Sequence, residues 1–238
     1  MVFCRFRPIR VFCLHQISDF FDPVKCYEGD WVSTVVFKQT IESLKHSYRF
    51  ISLTEAQHKL KTNVIRLKRY AVLTFDDGYA SIVPSLQWLE HQGIPYALFV
   101  NAKYFDGVSF SPHILKNAKL HSNSIENQQL VKGLYLSIND IKERSYQYCQ
   151  IGSHGFEHVD ATLLPASGFI KQVEDNQSIL LGFNGYIPFY AYTWGNHSFE
   201  TDRILKEMDI VPVLMDGQMN YDNPNIIHRE LFPSSVTD

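Results

Sequence analysis

The chain has 238 residues, 45% of them hydrophobic and 20% charged, with a formal net charge of -3. That length and composition fit one ordinary globular domain with a sizeable core, and they exclude a disordered or fibrous chain. The slight excess of acid gives no reason to expect a nucleic-acid partner, and no stretch approaches the roughly 20 apolar residues that span a bilayer.

The opening "MVFCRFRPIRVFCLHQ" carries Arg5, Arg7 and Arg10 among its apolar residues, and no small-residue cleavage site follows. It reads as the first strand, "RVFCLH" (10–15), and predicts a cytoplasmic protein or one whose export signal has been removed. Ser33 is a plausible N-cap for a helix with Phe37, Ile41 and Leu44 on one face. "YAVLTF" (70–75) is the next strand and runs straight into Asp76, Asp77 and Gly78. A helix from about Ser81, with Pro84 in its first turn and Trp88 and Leu89 facing inward, ends at Gly93. "YALFV" (96–100) is again a strand.

Residues 106 to about 135 are rich in Asn, Ser, Gln and Lys and read as an elaborated connection rather than a boundary. Ser137 caps a short helix, "INDIKER". "YCQIG" is a strand leading into "SHGFEH", a helix spans about 168–181, and "YIPFYAY" (186–192) is a strand. A helix over 200–208, the strand "IVPVLM" (210–215) and a last strand near Ile226 and Ile227 complete the chain. Alternating strands and helices predict an α/β fold with a parallel sheet, open or closed into a barrel. In such folds the site lies beyond the carboxyl ends of the strands. His15, Asp76 with Asp77, His154 with His158, Trp194 to His197, and His228 all fall there.

Adjacent carboxylates repel, and an Asp-Asp-Gly can be no more than a turn. Two imidazoles four residues apart plus one carboxylate, however, form a ligand set that leaves positions open for water and substrate. The four cysteines, Cys4, Cys13, Cys26 and Cys149, include no C-x-x-C pair, which argues against a thiolate zinc site. Free, buried thiols are the simpler reading, with a disulfide among the first three left open.

"TFDDGY" followed about 75 residues later by "IGSHGFEH" resembles the paired blocks of the polysaccharide deacetylases (NodB-homology, carbohydrate esterase family 4). "VFCLHQISD", "FISLTEA", "LSINDIKE" and "FYAYTWGNHS" resemble further segments of that family, so the likeness covers about residues 10–230. The resemblance implies a distorted (β/α) barrel of about seven parallel strands and a single catalytic domain over residues 1–238. It implies that Asp77, His154 and His158 hold a divalent metal, zinc in the first instance, and that Asp76 is the general base. It makes an N-acetylated carbohydrate the substrate, with the Trp194 amide stabilising the oxyanion.

His228 stands where the family's Leu-x-His block falls and is the general acid on this reading. Arg229 is the alternative match at that strand, and His197 is a rival acid. His15, Tyr79, Tyr192, Trp194 and His197 are expected to bind substrate. The chain departs from the family at Gly155, where Ser or Thr is usual, and at Thr193, where proline is usual. No arginine near the third block orients the base; Tyr190 stands about there. Hydrolysis of another C–N or ester bond, or a carbohydrate-binding relic without turnover, are the competing readings.

Overall fold

The computed structural model describes residues 7–22, 25, 28–62, 68–107, 109–111, 114, 132–144 and 146–233. In chain order the strands are β1 (Ile9–Leu14), β2 (Gln16–Ser18), β3 (Trp31–Ser33), β4 (Arg49–Phe50), β5 (Tyr70–Phe75), β6 (Tyr96–Val100), β7 (Cys149–Ser153), β8 (Tyr186–Ala191), β9 (Val211–Leu214), β10 (Ile227–His228) and β11 (Glu230–Leu231). The α-helices are α1 (Thr34–Ser47), α2 (Leu53–Lys61), α3 (Val83–His91), α4 (Ile138–Lys142), α5 (Ala166–Leu180) and α6 (Phe199–Glu207). The main sheet runs β10-β9-β8-β7-β6-β5-β1-β11, with β4 added beside the start of β5. Every strand pair in it is parallel.

The two ends of that order are one run of chain. β10 pairs with β9 and β11 pairs with β1, and only Arg229 separates them. The sheet therefore closes into a barrel through a final strand broken at Arg229, whose N–H donates to Leu214 O (2.8 Å). Seven positions around the ring result, as the family resemblance implies. Parallel strands joined by helices put all carboxyl ends at one mouth.

Strand residues alternate between two faces. Ile9, Val11, Val72, Phe99, Phe189 and Ile227 point inward and fill the barrel. Phe12, Leu14, Phe75 and Leu98 point outward against Phe37 and Ile41 of α1 and Leu86 and Leu89 of α3. Phe169 and Val173 of α5 cover Tyr190 and Tyr192 on the far side. The end opposite the mouth is plugged by α2, where Gln150 Oε1 accepts from the Leu53 and Thr54 amides (2.9 and 3.2 Å).

Ser33 caps α1 through Val36 N, and Ser137 caps α4 in a reciprocal capping box with Asp140, as expected. The predicted helices and strands all appear, within a few residues of their expected ends. Helix α2 and the small parallel pair β2–β3 add to what the sequence pattern predicts. Most of the connection expected over 106–135 lies outside the described residues, as do Cys4 and Cys26. Cys13 and Cys149 are free and buried. No helix among the described residues is long and apolar enough to cross a membrane.

Candidate metal centre and active site

Five of the barrel strands are followed by polar residues at the mouth. His15 follows β1, Asp76 and Asp77 follow β5, Asn101 follows β6, His154 follows β7, and Tyr192 and Trp194 follow β8. These residues, apart from Asn101, line one cavity of about 220 Å³ together with Cys13, Asp30, His158, Met215 and Arg229. Larger hollows of about 270 and 480 Å³ lie near Phe183 and Phe199. Among the described residues neither contains a cluster able to hold a metal; both such clusters line the mouth cavity.

Asp77 Oδ1 lies 3.2 Å from His154 Nε2 and 3.0 Å from His158 Nε2. Neither contact has hydrogen-bond alignment, so this buried oxygen is left without a hydrogen bond. His154 Nδ1 is 2.8 Å from Ala191 O, a contact that places a proton on Nδ1 and leaves Nε2 as the ring atom facing Asp77. Burial opposes ionisation of Asp77, but the two imidazoles outweigh it and hold its carboxyl well below the usual carboxylate range. Burial likewise opposes charge on His154, and the Asp76 and Asp77 carboxylates raise it above the ordinary imidazole value.

Asp76 has a different partner. Arg229 Nη1 donates to Asp76 Oδ1 (2.6 Å) and Nη2 to Oδ2 (2.8 Å), a two-pronged pair with both side chains buried. Nη1 also reaches Thr74 Oγ1 (3.2 Å), and the guanidinium stacks over Phe99 at 5.4 Å. Burial pushes Asp76 up; the guanidinium pushes harder and keeps it below its ordinary value. Adjacent acids therefore stand apart electrically: Asp76 faces an arginine, Asp77 faces two imidazoles.

The backbone bends to achieve this. Asp77 (φ 68°), His158 (φ 51°) and Trp194 (φ 60°) are left-handed, and all three belong to the cavity. Such a conformation costs a non-glycine residue about 1–3 kcal/mol and persists where its surroundings enforce it, most often at functional sites. Gly78 continues the turn at φ 72°, and a Cβ there would lie 3.0 Å from Val100 Cγ1. Gly78→Ala is expected to destabilise the fold by at least about 1–2 kcal/mol, the penalty of left-handed backbone with a Cβ; urea unfolding measures it.

The loop bearing the histidines is clamped from β6. Asn101 Nδ2 donates to His154 O (2.6 Å) and Gly155 O (2.8 Å), while Gln172 Oε1 accepts from Phe156 N and Glu157 N (3.1 and 2.9 Å). Gly155 takes φ 76°, and a Cβ there would lie 3.0 Å from Tyr190 Oη, so a side chain at this position would be strained. Thr193, in place of proline, anchors its loop by donating its hydroxyl to Val159 O.

His15 lies in the cavity with Nδ1 3.8 Å from Asp30 Oδ1. Trp194, 53% exposed, packs its indole edge-on against His158 at 5.0 Å. Three expected residues are elsewhere, which corrects their placement. Tyr79 is buried, stacked on Tyr135 at 5.4 Å outside the cavity. His197 bonds Asp202 Oδ2 (3.0 Å) at the surface. His228 Nδ1 bonds Asp216 Oδ2 (2.8 Å) and does not line the cavity. Ile227 points into the barrel and so does Arg229, which leaves His228 on the opposite face. Among the described residues the arginine that pairs with Asp76 is therefore Arg229, at the final strand rather than near the third block. Asn101 was findable as the first polar residue past a strand; Asp30 had no such signal.

The closed parallel barrel with its strand-end site is the NodB-type deacetylase fold. The chain superposes on IcaB from Ammonifex degensii with a TM-score of 0.73 at 22% identity, covering 95% of this chain and 92% of that one. A Streptococcus pyogenes deacetylase, PplD, in complex with acetate gives 0.76 at 16% identity, covering 95% and 93%. A de-N-acetylase from Aggregatibacter actinomycetemcomitans gives 0.72 at 15%, covering 98% and 97%. At such identities the likeness speaks for the fold alone. The polysaccharide deacetylase family model matches residues 64–213, and the chain belongs to that family. The matched span holds Asp76, Asp77, His154 and His158 but neither His15 nor Arg229. The comparison with curated proteins gave no match.

Proposed function

We propose that the chain is a divalent-metal-dependent hydrolase that removes N-acetyl groups from a carbohydrate, residues 1–238 acting as one catalytic domain. The observation that carries this reading is the convergence of Asp77 Oδ1 and two imidazole Nε2 atoms beside an ionised, arginine-paired Asp76. The three ligand atoms lie within 4.8 Å of one another, and the buried Asp77 oxygen has no hydrogen bond to give up. These residues fit a divalent ion, and two imidazoles with one carboxylate suit zinc. Bound there, the ion supplies Lewis acidity, acidifying water and polarising an acetyl carbonyl.

The chain's own groups do the rest. Asp76, held as the carboxylate by Arg229, takes a proton from the water that attacks the acetamide carbon. The Trp194 amide is our candidate donor to the oxyanion that forms. Collapse breaks the C–N bond, and the amine must leave protonated. His15 delivers that proton: among the described residues it is the cavity's one histidine outside the Asp-His-His set, and a carboxylate, Asp30, faces its Nδ1. Trp194 walls the opening, its indole offering an apolar face to a sugar ring, while the Tyr192 ring is buried beneath α5 and does not face the opening.

Zinc-loaded protein is expected to release acetate from N-acetylhexosamine oligomers, and to lose that activity on chelation. Bound zinc with no acetate from any N-acetylated sugar, but release from O-acetyl esters, would replace the amide reading with an ester one. Asn101 tests the support beneath the ligands. In Asn101→Ala two buried carbonyls lose their donor, which costs about 1–3 kcal/mol of stability. Zinc affinity is expected to fall about 10–100-fold, the usual effect of removing a group that orients a ligand. Competition against a chromogenic chelator measures it.

A further inference from the structure

A second trio of metal-binding groups shares the cavity. Cys13 Sγ, a ring nitrogen of His15 and a carboxylate oxygen of Asp76 lie within 4.8 Å of one another, and none of the three belongs to the Asp77–His154–His158 set. Alternation along β1 turns Cys13 inward, as it turns Ile9 and Val11, and at the end of the strand the inward position opens on the cavity rather than the core. The thiol sulfur is 3.5 Å from Asp76 Oδ2. Sulfur, imidazole nitrogen and carboxylate oxygen together favour a thiophilic cation such as Zn2+ or Cd2+ over Mg2+ or Ca2+.

We propose that Cys13, His15 and Asp76 form a second, weaker site for a thiophilic divalent cation, and that filling it silences the enzyme. Occupancy stands on the geometry alone; silencing rests on the deacetylase reading. Binding exchanges one proton for one ion: the S–H bond breaks, the sulfur–metal bond forms, and the proton passes to solvent. The site is the weaker of the two because Arg229 already holds both oxygens of Asp76 and opposes a further positive charge. Among the described residues no arginine or lysine pairs with Asp77 in the resident set. An ion bound at the second site engages both Asp76, the proposed base, and His15, the proposed acid. Excess metal therefore removes base and acid in one event, while the first ion stays in place.

The test titrates metal-free protein with Cd2+, following bound metal by equilibrium dialysis and the thiolate-to-cadmium absorbance in the ultraviolet. The native chain is expected to bind about two ions, with the absorbance growing only as the second binds. Cys13→Ala is expected to bind about one and to lack the band, although three other cysteines remain. Cys13→Ser, which keeps a hydroxyl of similar size, should do the same and stands in if the alanine variant folds poorly. One ion per native chain without the band, or equal binding by native and variant chains, overturns the site. Acetate release is then followed as zinc is raised above stoichiometry. The native rate should fall at least tenfold, and the Cys13→Ala rate should hold at its own stoichiometric value. A Cys13-dependent band with an unaltered native rate overturns silencing and leaves the site. Absence of acetate release at every zinc level overturns the deacetylase reading instead.

Discussion

Asp76→Asn is expected to lower acetate release about 10²–10⁴-fold, the share a positioned base contributes, while zinc stays bound through Asp77, His154 and His158. The same substitution is expected to weaken the fold. Arg229 is 1% exposed, and among the described residues Asp76 is the carboxylate that its guanidinium bonds. Breaking a buried ion pair from one side leaves the other charge stranded, at about 3–5 kcal/mol. The amide introduced by Asp76→Asn keeps one acceptor, so that variant should fall at the lower end; Arg229→Met strands the carboxylate and should fall at the upper end. The double variant removes both charges and should be far less destabilised than the sum of the singles, since contacting groups do not add. Strict additivity in urea unfolding would show that the pair is not coupled, and an active Asp76→Asn would take the base role from Asp76.

The pH dependence of stability follows from the same pair. Arg229 depresses Asp76 below the ordinary carboxylate value, about 3.9 for aspartate. A depressed group contributes stability above its unfolded pKa and loses it as pH falls through the folded one. The native chain should therefore lose part of its stability in that acid range, and Asp76→Asn should show a flatter profile there.

What the sequence disclosed was local and periodic. β5 and β6 were legible because a short apolar run of strand-forming residues ended at a polar one. α1 and α4 were legible because Ser33 and Ser137 sit at the right offset from their first turns. The Asp77, His154 and His158 cluster was legible because its three residues follow two strand ends, β5 and β7. The misplaced residues depended on direction or on distant partners. His228 and Arg229 are neighbours at a strand end, and only the inward direction of Ile227 decides which of them enters the barrel. Tyr79 lies two residues past Asp77, yet Tyr135 and Tyr104 draw it into a separate aromatic stack. Asp30 reaches His15 because β2 and β3 pair beside the mouth, a contact between two three-residue strands that no periodicity announces.

That difference in direction sets the second large effect. His15→Gln is expected to lower acetate release about 10²–10⁴-fold, as loss of a positioned acid does, with zinc affinity unchanged because His15 is not among the resident ligands. His228→Gln is expected to change the rate less than about twofold, because its ring is turned out of the cavity and its bond to Asp216 is a contact of the outer face. A substrate with a better leaving group needs less help in departing. An O-acetyl or activated-amide substrate should therefore restore much of the His15→Gln rate and none of the Asp76→Asn rate. Proton donation to the leaving group is the one role that predicts this split. A His15→Gln chain slowed equally on both substrates would return His15 to the cavity wall, and a large loss in His228→Gln would mean that its ring reaches the substrate after all.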